Sequence, residues 1–104
     1  MILTNTETIP GREVVTVYGL VSGSTIRAKN VFRDFAASIK NFFGGELKGY
    51  TELLEESRIE ATRRMMLAAE EKGANAVVNV RFSTSSVAAG ASEIYVYGTA
   101  VRMS

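Results

Sequence analysis

Apolar residues fill both alternating sets of positions along Glu13–Val21. Val15, Val17, Gly19 and Val21 fall on one face of an extended chain, and Val14, Thr16, Tyr18 and Leu20 on the other. A strand apolar on both faces predicts cover on both, by helices on one side and by something else, such as another subunit, on the other. Ile2-Leu3-Thr4 reads as a short strand ahead of it, set off by Ile9-Pro10-Gly11, where Pro fixes one turn angle and Gly permits the reversal. Ser22-Gly23-Ser24-Thr25 interrupts the alternation and is expected to end the strand.

The spacing then changes from two to between three and four. Val31, Phe32, Phe35, Ala36, Ile39, Phe42 and Phe43 recur along one stripe and predict a helix over 29–43, with Asn30 at its start and Gly44-Gly45 at its end. Glu46-Leu47-Lys48-Gly49 reads as a connector into a second helix capped by Thr51. That helix carries Glu52, Glu55 and Glu56 near its positive end and stops at Lys72-Gly73. On its wheel Leu54, Ala61, Met65 and Ala68 form one stripe, with Ile59 and Met66 on the far side, so two surfaces need covering; Glu60 and Arg64 stand four residues apart on the exposed part. After the Gly73-Ala74-Asn75-Ala76 turn, Ala76, Val78, Val80 and Phe82 are expected on one strand face and Val77, Asn79, Arg81 and Ser83 on the other. A loop is expected over 83–90, then a last strand over 93–102 with Ile94, Val96, Gly98 and Ala100 opposed to Tyr95, Tyr97, Thr99 and Val101. The order β-β-α-α-β-β predicts one α+β domain over residues 1–104, with a largely antiparallel sheet and two helices inserted between strand pairs.

Composition narrows the chemistry more than it suggests any. The chain of 104 residues is 46% apolar, which is much for a small monomer with little interior, and so points to self-association. Twelve basic and eleven acidic residues leave a net charge of +1, without the clustered field that nucleic acid or an anionic membrane would require. There is no Cys and no His. Thiolate and imidazole ligands, Cys nucleophiles, His bases and disulfide scaffolds are all excluded. The start of the chain lacks the pattern of a signal peptide and no run of eighteen apolar residues occurs, so the expected location is cytoplasmic.

No Walker, Ser-x-x-Lys or Gly-x-Ser-x-Gly spacing is present, and the single aspartate, Asp34, sits beside Arg33 on the polar side of its predicted helix; a non-enzymatic protein without a cofactor is expected. Soft metal ligands reduce to methionines, and Met65 and Met66 diverge by about a hundred degrees on a helix, so core packing is the better reading of both and no metal residues are assigned. The polar set that could form a site is Ser22, Gly23, Ser24, Arg27, Asn79 and Arg81, joined by Asn75: strand ends and a Gly-Ser turn offering N–H groups and guanidinium to a small anionic ligand. The alternative is that Asn79 and Arg81 pair with carboxylates such as Glu93 or Glu46 within the fold or between subunits.

Gly19-Leu20-Val21-Ser22-Gly23, Arg27-Ala28-Lys29-Asn30, Arg33-Asp34, Gly44-Gly45-Glu46, Tyr50-Thr51-Glu52-Leu53-Leu54, Gly73-Ala74-Asn75-Ala76-Val77-Val78 and Gly98-Thr99-Ala100-Val101 together resemble the YbjQ-like family of uncharacterised proteins, along the whole chain and in order. The resemblance implies a dodecin-like subunit that assembles into a ring, a homopentamer, with self-association as its partnership. It also brings the family label of a "putative heavy-metal-binding" domain, and so a metal-binding or metal-responsive protein as the alternative function. The chain differs from the resembled pattern where aspartates give way to Asn79, Arg81 and Ser83, which removes anionic ligands.

Overall fold

Every residue of a long strand presents an N–H and a C=O that need partners, and here one central strand supplies most of them. The structure, a computed structural model describing residues 1–27, 46–88 and 91–104, has four strands and one helix among those residues. They follow the order β1 (Ile2–Leu3), β2 (Val14–Arg27), α1 (Glu46–Glu71), β3 (Ala76–Ala88) and β4 (Ala91–Met103), and the strands make one sheet in the order β1-β3-β4-β2. β4 is antiparallel to both β2 and β3, whereas β1 is parallel to β3, with Ile2 opposite Ala76 and Leu3 opposite Val77. The fold is α+β with a mixed sheet. The predicted helix over 29–43 lies outside the described residues.

Two segments expected to leave the sheet stay in it. Ser22 to Thr25 continues β2, opposite Tyr97 to Ile94, and Ser83 to Ser86 continues β3, opposite Tyr95 to Ser92. The two segments overlap at Ile94-Tyr95 of β4, and ladder bonds and cross-strand contacts to this β-forming strand outweigh the weak strand preference of serine.

α1 begins at Glu46, so the expected connector forms its first turn and Thr51 lies inside the helix rather than at its cap. Its exit is as the sequence predicts. Gly73 has φ +91°, and the amides of Ala74 and Gly73 return to the carbonyls of Ala69 and Glu70 at 3.1 and 3.0 Å, the pair of bonds that closes a helix in a Schellman motif. The buried stripe is Ser57, Ala61, Met65 and Ala69, one residue every four, while Leu54 and Ala68 lie only partly buried. This stripe lies across β2 and β4 and barely reaches β3, enclosing a core of Val21, Ala61, Met65, Ala69, Val77, Val96 and Ala100.

β3 also departs from simple alternation. Val78 lies opposite Thr99, but the next pair is Arg81 with Tyr97, so three steps on β3 match two on β4. The extra residue is absorbed by Asn79, whose φ of +54° lies in the left-handed region that Asn tolerates better than most side chains. The faces therefore swap. Val78 packs with Ala76, Val101 and Met103 in a second cluster on the face away from α1, whereas Val80 packs against the helix-side core. Ala76, Val78, Val80 and Phe82 do not share one face, because the bulge inserts one residue among them.

Candidate functional site

The registers place side chains in rows across the face of the sheet that α1 does not cover. Val96 and Ala100 of β4 turn to the helix, so Tyr95, Tyr97 and Glu93 turn away from it. Ser22 of β2, Tyr97 of β4 and Arg81 of β3 form one row; Ser24, Tyr95 and Ser83 form the next; Ile26, Glu93 and Ser85 follow. The two tyrosine rings stack with centroids 5.5 Å apart and planes 28° from parallel. Tyr97 keeps 36% of its surface exposed, and Arg81, Ser22 and Ser83 are exposed.

Of the residues singled out from the sequence, Ser22, Ser24 and Arg81 come together on this face. Gly23 does not join them, because the alternation turns it to the other side, under the helix. A Cβ built there would collide with the carbonyl oxygen of Ala61 and lie 2.6 Å from the Met65 nitrogen. Arg27 is the last residue of β2, opposite Ser92. Asn79 sits in the bulge with its amide on the carbonyl of Thr6 at 3.0 Å. Arg81 donates through Nη1 to the carbonyls of Asn5 at 2.8 Å and of its neighbour Val80 at 3.0 Å, tying the N-terminal segment to β3. Among the described residues these carbonyls are its hydrogen-bond partners. Asn75 is occupied in the turn, its side chain bonded both ways with the Met103 backbone at 2.7 and 2.9 Å. Sequence reasoning missed Tyr95 and Tyr97; the signal was their alternation in the last strand, unreadable until β4 is known to lie between the two serine-bearing segments.

The helix surface carries the strongest charge pairing among the described residues. Glu60 accepts from Arg63 at 2.6 and 2.8 Å and from Arg64 at 3.2 Å, and the Arg63 bond above all holds its carboxyl down at about 2. Arg64 also donates to the Ser24 carbonyl at 2.6 Å, pinning the helix to β2. Beside this cluster Glu55, Arg58, Ile59, Thr62, Arg63, Met66 and Phe82 line a groove of 470 Å³ between α1 and β3.

A heavy-metal ion asks for soft donors converging on one point. Met65 is fully buried in the helix-side core and Met103 in the opposite cluster, on two faces of the sheet, and no group of three or more Asp, Glu, His or Cys converges among the described residues. The described residues therefore do not fit such an ion. No helix among them is long and apolar enough to cross a membrane.

Comparison with known proteins gives a consistent lineage. A protein from Hahella chejuensis named "UPF0145 protein" is 63% identical over 103 residues, 99% of each chain, and one from Archaeoglobus fulgidus with the same name is 53% identical over 103 residues, 99% of this chain and 95% of the relative. The crystal structure of a protein of unknown function from Pediococcus pentosaceus, of the DUF74 family, superimposes with a TM-score of 0.60 at 14% identity, covering 100% of this chain and 98% of the other, a likeness of fold alone. The profile of the YbjQ family, described as "Putative heavy-metal-binding", matches residues 1–104, and with relatives this similar the chain belongs to that family.

Proposed function

We propose that this chain is a cytoplasmic, non-enzymatic, homo-oligomeric protein, a pentamer, that holds a small anionic ligand on the sheet face bearing Ser22, Ser24, Arg81, Tyr95 and Tyr97. The observation that carries the oligomer is the apolar surface left on β2, where Leu20 is 77% and Val17 65% exposed on the face away from α1. A cluster of such residues on one strand marks an interaction surface rather than ordinary solvent contact. Arg81 and the serine hydroxyls support the ligand reading by supplying a cation and donors beside a stacked aromatic pair. Thermal-shift measurements with inorganic phosphate, carboxylates and nucleotides test it: stabilisation of the wild-type protein that disappears in Arg81→Ala supports the site, and flat profiles for both proteins reject it.

The second reading, a metal-binding or metal-responsive protein, is favoured by the family description. Equilibrium dialysis followed by elemental assay separates the two, since tight stoichiometric metal would replace the anion reading.

A further inference from the structure

Opposite charges stand at the two ends of the Tyr95–Tyr97 pair. Arg81 lies in the row of Tyr97, and Glu93 occupies the row beyond Tyr95, on the same face of the sheet. Residues 93 and 97 are four steps apart on one strand, which sets the two charged rows about 13 Å from each other. Glu93 is half-buried and forms no ion pair among the described residues.

Arg81 has donors to spare. Both of the hydrogen bonds it makes among the described residues leave from Nη1, to the carbonyls of Asn5 and Val80. They anchor the guanidinium beside the N-terminal segment and leave Nε–H and the Nη2 amino group, the side-on fork that grips a carboxylate through two parallel bonds. Between the charges the face is aromatic along its middle and carries hydroxyls on both flanks. Ser22 and Ser24 on β2 accompany Tyr97 and Tyr95, and Ser83 and Ser85 on β3 accompany Tyr95 and Glu93. Each flank therefore repeats a hydroxyl every two residues, about 6.6 Å, the interval at which an extended peptide repeats its amide groups on one side. A hydroxyl can donate or accept, so it suits either half of an amide.

We infer that the anion held on this face is the C-terminal carboxylate of a short extended peptide of about four residues, laid along β4 over the tyrosine rings with its carboxylate on Arg81 and its free ammonium on Glu93. The inference rests on the anion reading proposed above and names the ligand class. Four residues of extended chain carry their two termini about 13 Å apart, the separation of the charged rows. A simple anion such as phosphate would use Arg81 alone and leave the Glu93 carboxylate and the serine rails idle, whereas a peptide with free ends engages all of them.

Calorimetric titration of tetra-alanine, its N-acetylated and C-amidated forms and dialanine tests the inference on the wild-type protein, Arg81→Lys and Glu93→Gln. Tetra-alanine is expected to bind best to the wild type, with acetylation, amidation or shortening to dialanine each weakening it roughly tenfold, the worth of one charge-assisted contact. Glu93→Gln should weaken tetra-alanine by the same factor and leave the acetylated peptide unchanged, which also shows that variant to be folded. Arg81→Lys keeps the charge but loses the fork and should weaken both peptides. Equal affinity of the wild type for tetra-alanine and its acetylated form, or for tetra-alanine and dialanine, would overturn the peptide. Failure of all four peptides to bind while inorganic phosphate still stabilises the wild type and not Arg81→Ala would overturn it and leave the anion site standing; no response to the peptides, phosphate, carboxylates or nucleotides would remove both.

Discussion

Gly23 of β2 lies directly beneath Ala61 of α1, so close that a methyl group at Gly23 would collide with the Ala61 carbonyl. Both neighbours it would meet most closely are backbone atoms, which cannot rotate aside. Gly23→Ala must therefore lift the helix from the sheet and is expected to cost about 1–3 kcal/mol or more, as overpacking does. Ser22→Ala, one residue away on the exposed face, is expected to stay within about 0.5 kcal/mol. Denaturant unfolding at one fixed protein concentration checks the pair.

Met65 anchors the same contact from the helix, fully buried among Val21, Val77, Val96 and Ala100. Met65→Ala removes that side chain and leaves a void, with an expected loss of about 2–5 kcal/mol. Met66→Ala, on the groove side and only partly buried, should lose clearly less. Equal losses would contradict the assignment of the two helix faces.

Asn79 holds the bulge with a positive φ, and its importance is conformational. Asn79→Gly is expected to leave stability nearly unchanged, whereas Asn79→Val should cost about 1–2 kcal/mol because a β-branched residue resists the left-handed region. Hydrogen exchange at Val80, whose amide donates to Thr4, would report the damage locally.

Glu60 gives a pH signature with a defined sign. Its carboxyl is held at about 2, chiefly by the bond from Arg63, below its ordinary 4.5. A depressed carboxyl contributes stability that is complete above the ordinary value and lost as pH falls through about 2. The difference in Tm between wild type and Glu60→Gln should be small at neutral pH, since the cluster is largely exposed, and should vanish on acidification or in high salt. A gap that persists unchanged under both would contradict the pairing.

Much of the fold was legible because periodicity reports burial directly. The strand over β2, the helix with its Gly73 stop and the final strand all announced themselves in the spacing of apolar residues. What the sequence hid were effects of partners. Ser22–Thr25 and Ser83–Ser86 look like loops until both are set against the aromatic stretch of β4. The bulge at Asn79 is invisible to any count in twos, yet it decides which way Val80 and Phe82 point. The candidate site followed the same rule: Ser22, Ser24 and Arg81 were found by residue type, whereas Gly23 went to the other face by alternation and Tyr95 and Tyr97 entered only through register.

The oligomer proposal requires the apolar surface left on β2, including Val17 and Leu20, to be covered by other copies of the chain. Light scattering on the purified protein across a range of concentrations tests it most directly. A pentamer gives one species with a mass five times the 11.3 kDa of the chain, stable on dilution. A monodisperse species of 11.3 kDa would contradict it.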